Sequence, residues 1–323
     1  MCAGVERSAS QVKFSPDVKC CSYIPHLANF LAGRSLAGPG RSSVVRRIHR
    51  RAGVTPLGLG LSHADILRMV GAQSHFGQEP VVCCPHFVEQ SQGCAIWQTR
   101  NAVCSTWFCK HERGAVGQRF WHAVRDLLIA AEERAAHHCL TDAGLPDEQV
   151  SAVLRHRAQI RETVRQANTG QTLSSSGDDE SAQWYARMWG DWQGREEEWF
   201  LGCAQTLASS TAQDLSSWME DARELVDDVG QRFTDLQDHA LPERLRFAPG
   251  TGSQATADVL RLVGYSPYDP LELPAGLEPG LWLLDGRPLP DVIAQAQQTH
   301  DVLLDDALLS RLHDFAIALT PQP

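Results

Sequence analysis

The segment from Cys83 to Cys109 constrains this chain more than any other stretch. It carries Cys83, Cys84, Cys94, Cys104 and Cys109, half of the ten cysteines in the sequence. A vicinal pair, Cys20-Cys21, lies upstream. Thiolates are soft ligands, and a group of them in one short segment suits zinc or an iron–sulfur cluster. Structural zinc sites often take their ligands from C-x-x-C knuckles, and the sequence has none. A cubane needs four thiolates in surroundings that limit solvent access. Ile96, Trp97, Trp107 and Phe108 are suited to form that shell.

The order of residues in this segment is specific. Cys84-Pro85-His86-Phe87 is followed by Cys94-Ala95-Ile96-Trp97-Gln98-Thr99-Arg100, then by Cys104 and by Trp107-Phe108-Cys109. This pattern resembles the YkgJ-type cysteine-cluster family, described as a zinc- or iron-chelating domain. It is similar, more loosely, to the cysteine region of flagellin lysine methylases, a likeness that implies a [4Fe–4S] cluster. The family's upstream run of cysteines is represented here only by Cys20-Cys21. Adjacent cysteines point apart and rarely hold one metal together. Cys21 is therefore preferred over Cys20, and the resemblance selects Cys84 over Cys83. The candidate metal ligands are thus Cys20, Cys21, Cys84, Cys94, Cys104 and Cys109. Taking one residue from the first pair leaves five sulfurs for four places. Arg100 is the candidate cofactor-binding residue. It would offset a cluster's negative charge by donating hydrogen bonds to sulfur, or else it is a solvated loop arginine.

Two plainer readings compete. Cysteine is among the most buried residue types, so the thiols could be ordinary core residues. Their confinement to two short windows argues against that. Structural disulfides need an oxidising compartment. The N-terminus shows no charged region followed by an apolar one, so a cytoplasmic location with reduced thiols is expected.

The net charge of −10 disfavours a nucleic-acid binder, and 43% hydrophobic residues is ordinary for a folded domain. No apolar run approaches the length of a membrane span. Charge is unevenly placed. Residues 1–60 are rich in arginine, whereas 250–323 are acidic, a polarity that suits docking between domains or to a protein or peptide partner.

The expected fold is mainly α: a helical scaffold over 1–240 around a loop-borne cysteine metal site, with a small α+β module over 241–323. A short helix is expected over Tyr23–Leu31. Arg41–Arg51 has Val44, Val45 and Ile48 at helical spacing among arginines. It is either an amphipathic helix facing an acidic partner, RNA or anionic lipid, or a basic helix on the protein's own core. Thr55–Leu61 reads as a Gly-rich turn. Ser62 is an N-cap with Asp65 at the third helical position. A long helix over Val116–Ala143 should bury Phe120, Val124, Leu127, Leu128 and Ala131. Gly144 ends it and Pro146 starts the next. His137-His138-Cys139 suits a helix C-terminus better than a ligand set. A polar loop follows at Gly170–Asp179. Trp184, Trp189, Trp192 and Trp199 read as a packing core, and Glu196–Glu198 as a solvated first turn. Asp214 should cap a helix that reaches His239. Beyond Arg244, Val259–Tyr265 reads as a strand. An Asp285-Gly286-Arg287 turn then leads to helices near 289–299 and 305–312 and a terminal strand. This last arrangement resembles a winged-helix or peptide-chelating module of the PqqD type.

Three functions follow. The first is a protein holding a [4Fe–4S] cluster for redox, sensing or structural use. The second is a cluster-dependent modifying enzyme, although C-x-x-x-C-x-x-C, G-x-S-x-G and H-E-x-x-H are all absent. The third is an interaction module built on structural zinc. The first is preferred. Oligomeric state is not legible in the sequence.

Overall fold

The computed structural model describes residues 15, 18, 21–71, 77–78, 80–169 and 182–320. The expected lead-in over 1–18, apart from Ser15 and Val18, and the polar loop at Gly170–Asp179 lie outside them. The fold is mainly helical, with short antiparallel sheets. The chain divides into two compact units: Phe14–Ser105 with Arg125–Arg223, and Met1–Lys13 with Thr106–Val124 and Glu224–Pro323.

The first unit opens with strand β1 (Leu27–Ala28) and helix α1 (Asn29–Leu36), followed by α2 (Arg41–Arg50). The helix expected over Tyr23–Leu31 starts later than predicted. Pro25 disfavours helical backbone before it, and Leu27 and Ala28 are held as a strand against Leu59 and Gly58. The Gly-rich stretch is not one turn. Val54–Thr55 (β2) and Gly58–Leu59 (β3) pair as a hairpin whose outer edge takes β1. Ser62 caps α3 (His63–Gly71) as expected. Its hydroxyl accepts from Asp65 N at 3.1 Å, and Asp65 Oδ2 accepts from Ser62 N at 3.0 Å, a reciprocal capping box.

Strands β4 (Phe87–Val88) and β5 (Gly93–Cys94) and helix α4 (Ala102–Thr106) form the cysteine segment. Helix α5 (Gly114–Asp142) follows, and the division between the units falls within it. Its buried positions are Ala115, Val116, Ala123, Ala135, Ala136, Cys139 and Leu140, whereas Leu128 is exposed. Of the residues expected on its apolar face, Phe120, Val124, Leu127 and Ala131 are partly buried and Leu128 alone is exposed. Gly144, at φ +66°, ends this run. Pro146 then precedes α6 (Asp147–Asn168), whose first turn carries Asp147 and Glu148.

Helices α7 (Ala182–Trp189), α8 (Glu196–Ser209) and α9 (Ala212–Trp218) complete the first unit. Its core joins Phe30, Leu31 and Leu36 to Trp189, Trp199 and Phe200. Gly33 makes the tight α1–α8 approach possible, because a Cβ there would stand 1.9 Å from the Phe200 carbonyl oxygen. Trp199 Nε1 donates to the Pro56 carbonyl at 2.9 Å. Asn29, fully buried, donates to the Pro56 and Ala136 carbonyls at 3.1 and 3.0 Å. Glu196 is not a solvated first-turn acid. It is buried and accepts from Tyr185 Oη at 2.9 Å and Gly194 N at 3.0 Å. Nor does Asp214 cap a helix reaching His239. Thr211 is the cap, Asp214 answers it from the third position, and the helix stops at Trp218.

The second unit contains α10 (Arg223–Gln237), which begins at its boundary, and two three-stranded sheets. One sheet is built from β6 (Arg244–Phe247), flanked by β10 (Asp285–Pro288) and β11 (Ala318–Leu319). The Asp285-Gly286-Arg287 turn expected from the sequence is thus part of a strand. The other sheet runs β7 (Gly252–Ala255), β8 (Val259–Val263), β9 (Leu271–Pro274). Leu260 faces Leu273 and Leu262 faces Leu271 across β8 and β9, one buried leucine face generated by the period of two. Helices α11 (Glu278–Leu281), α12 (Leu289–His300) and α13 (Asp306–Asp314) cover this core. Arg113 clasps the unit. Its guanidinium reaches Asp314 at 2.7 Å, the carbonyls of Asp235 and Leu236 in the last turn of α10, and that of Asp238 just past it.

Candidate metal centre

Of the predicted cysteines among the described residues, Cys21, Cys84, Cys94 and Cys104 belong to the first unit. Cys84 N donates to the Cys21 carbonyl at 2.6 Å, which ties the upstream strand to the start of the segment. Phe87 N then turns back to the Cys84 carbonyl at 3.0 Å. The β4–β5 hairpin sets Phe87 opposite Cys94, and Ala95 N donates to the His86 carbonyl at 2.9 Å. Cys84 and Cys94 are thereby drawn to one end of a hairpin. Ile96 is buried in the core and anchors the exit strand. Thr99 Oγ1 lies 2.6 Å from Ser35 Oγ on α1. Asn101 Oδ1 accepts from Cys104 N at 3.1 Å and so opens α4.

Burial raises the Cys84 thiol far above its ordinary range, and Cys21, Cys104 and Cys94 each push it further. Cys104 is pushed up to about 12, chiefly by burial and then by Cys94 and Cys21. Cys94 is raised by burial and by Cys21. Cys83 is raised by burial, then by Cys21 and Glu89, and Cys94 and Cys104 do not act on it. Of the vicinal pair, Cys84 is buried and Cys83 half-buried. Burial and mutual repulsion both favour the neutral thiol over the thiolate.

Arg100 does not reach a sulfur by hydrogen bond. It donates to the carbonyls of Trp97 at 3.0 Å and Cys104 at 3.3 Å, with its guanidinium 3.5 Å above the exposed Trp97 ring. It thereby pins the chain between Cys94 and Cys104, and its charge lowers both thiols. Cys20 lies outside the described residues. Cys109 belongs to the second unit, where it neighbours Tyr268. Cys139 and Cys203 form a separate buried pair on α5 and α8, with Cys139 Sγ 3.6 Å from the Cys203 carbonyl. His138 stacks on Trp218.

Sequence reasoning missed three groups around the thiols. Glu132 on α5 accepts from Ala102 N at 2.7 Å, and burial raises its carboxyl to about 7. Its signal was a carboxylate at the end of the Val124–Leu128 stripe, spaced by four. Tyr23 is raised to about 12 by burial and then by Cys104, against a hydrogen bond to Asn101. His86, fully buried, meets Ser43 Oγ at 2.8 Å through Nδ1. Since the Ser43 hydroxyl donates to the Gly40 carbonyl at 2.8 Å, His86 Nδ1 carries the proton. Burial, with Arg47 and Arg46, lowers its imidazolium to about 3.

Sulfur donors are of the type a thiophilic metal prefers; of the four, Cys84 is buried and Cys21, Cys94 and Cys104 are half-buried. Among the described residues, no group of three or more His, Cys, Asp or Glu side chains stands as a ready-made metal-binding set. Compared with protein-family profiles, curated proteins and solved structures, the chain matches none. Among the described residues, no helix is long and apolar enough to cross a membrane.

Proposed function

We propose that this protein holds an iron–sulfur cluster, of the [4Fe–4S] type, through Cys21, Cys84, Cys94 and Cys104. The observation that supports this reading is the backbone that ties Cys84 to Cys21 and sets Cys94 in the hairpin just beyond it, with Cys84 buried and Cys21, Cys94 and Cys104 half-buried. The cluster would supply one-electron chemistry or a covalent clasp within the first unit. The chain's own part is to exclude water around the sulfurs with Ile96, to hold the Trp97–Cys104 turn with Arg100, and to release the thiol protons on loading. The second unit we read as a winged-helix-like module for a protein or peptide partner, supported by α12 and α13 followed by β11 and by its acidic surface.

Anaerobic purification with iron, sulfide and zinc analysis tests the reading. About four irons and four sulfides per chain, with a visible band near 400 nm that bleaches on reduction, are expected for Cys₄ ligation. Cys94→Ser should abolish the band, whereas Cys203→Ser should leave it. One zinc without a visible band would replace the cluster by a structural site on the same sulfurs. Neither iron nor zinc would overturn the proposal.

A further inference from the structure

Outside the cysteine segment, the helical core of the first unit holds a second meeting of sulfurs. Cys139 on α5 and Cys203 on α8 are free thiols, 1% and 4% exposed. Contacts on either side of them fix the register of the two helices. Asn29 on α1 donates to the Ala136 carbonyl, and one turn along α1 the Phe200 carbonyl crowds Gly33. Three residues beyond Ala136 and Phe200 come Cys139 and Cys203, with Cys139 Sγ 3.6 Å from the Cys203 carbonyl. Three residues further, Thr206 Oγ1 donates to Asp142 Oδ2 at 3.1 Å. Equal steps of three on each helix keep one face of α5 turned to one face of α8. The two thiols therefore face each other, and they are hydrogen-bonded to one another.

We propose that Cys139 and Cys203 are an oxidation-sensing dithiol, which a hydroperoxide converts to a disulfide that clasps α5 to α8. Thiols that merely fill a core as small apolar groups need not face each other; disulfide closure requires it. The sulfurs must come to about 2.05 Å, and hydrogen-bonded thiols on facing helices start within reach of that. The bond from Cys203 holds the Cys139 thiol below its ordinary range, and the same bond, then burial, raises Cys203. Cys139 is thus the attacking sulfur. It attacks one oxygen of the hydroperoxide, the O–O bond breaks, and Cys139 becomes a sulfenic acid as water or an alcohol leaves with the thiol's proton. The Cys203 sulfur then displaces that hydroxyl, which leaves as water with the Cys203 proton. Two electrons and two protons pass from the dithiol to the peroxide. Burial excludes bulky disulfides such as oxidised glutathione, which makes a small peroxide the oxidant. The new bond closes a span of 64 positions that contains α6 and α7, and so constrains the unfolded chain.

The full chain, treated with hydrogen peroxide, denatured in N-ethylmaleimide and digested without reductant, tests this by mass spectrometry. A peptide pair joined through Cys139 and Cys203 is expected, and dithiothreitol should separate it. The oxidised chain should unfold at a higher urea concentration than the reduced one. Cys203→Ser should lose both the joined pair and that shift, and should carry a sulfenic acid on Cys139 that dimedone traps. Circular dichroism confirms that the variant folds, and Cys203→Ala serves should serine perturb the core. Alkylation of both Cys139 and Cys203 after peroxide has oxidised other cysteines would overturn the proposal. So would a bond from either of them to a different cysteine. Iron and zinc are measured on the same samples. The dithiol uses none of the proposed metal ligands, and it stands or falls independently of them.

Discussion

The first unit joins two regions that solve the same problem differently. Where α1 meets α8, large apolar side chains pack around two buried donors that each find backbone carbonyls: Trp199 has Pro56, Asn29 has Pro56 and Ala136. In the cysteine segment the backbone is equally well paired, yet the side chains at its centre are four thiols that repel one another once ionised. The first region is complete without a ligand. The second is the region in which we propose that thiols hold a metal group. Stability and binding should therefore respond to different substitutions.

The sharpest way to break that contrast is in the helical core. Phe200→Ala should cost about 3–5 kcal/mol by cavity formation, read by urea denaturation, with metal stoichiometry retained in the folded fraction. Glu132→Gln comes next. The Glu132 carboxyl rises from 4.5 to about 7 on folding. Its contribution to stability is fully present below the unfolded value and is lost as pH rises through about 7. The Gln variant keeps the bond from Ala102 N and should remove this loss. It should gain roughly 1–3 kcal/mol over the parent at pH 8 and nothing at pH 4. Equal pH profiles would remove Glu132 from the account. The smallest effect is expected from Cys94→Ala in the metal-free chain, under about 1 kcal/mol, since the residue is only half-buried. Metal loading of the parent should weaken as pH falls, because the raised thiols must give up protons; loading independent of pH between 6 and 9 would count against thiolate ligation.

Much of this was legible in the sequence, for identifiable reasons. The Ser62–Asp65 box, Gly144 and Pro146 are local signals whose geometry is fixed by a few residues. The packing of Trp184, Trp189, Trp192 and Trp199 into the core was also accessible. What escaped depends on long-range partners. Glu196 looks like a solvated acid until Tyr185 is brought to it, and Arg47 like a surface arginine until the Ala52 and Gly60 carbonyls turn toward it. On α5 the expected apolar face departs from the structure only at exposed Leu128, and the most deeply buried positions further along include Ala135 and Ala136. The place of Cys109 was invisible because spacing does not say which unit a residue will join.

The distribution of indoles gives the molecule a built-in optical record. Trp189 and Trp199 are 0% and 2% exposed, whereas Trp97 and Trp282 are 52% and 51% exposed. The first pair should emit at the blue edge and resist acrylamide, and the second should emit further red and be quenched readily. Trp97 also sits beside Arg100 in the turn between Cys94 and Cys104, so a coloured centre there would darken its emission first. Loss of the helical core and loading of the thiols would then be separable in one emission spectrum, with no added dye.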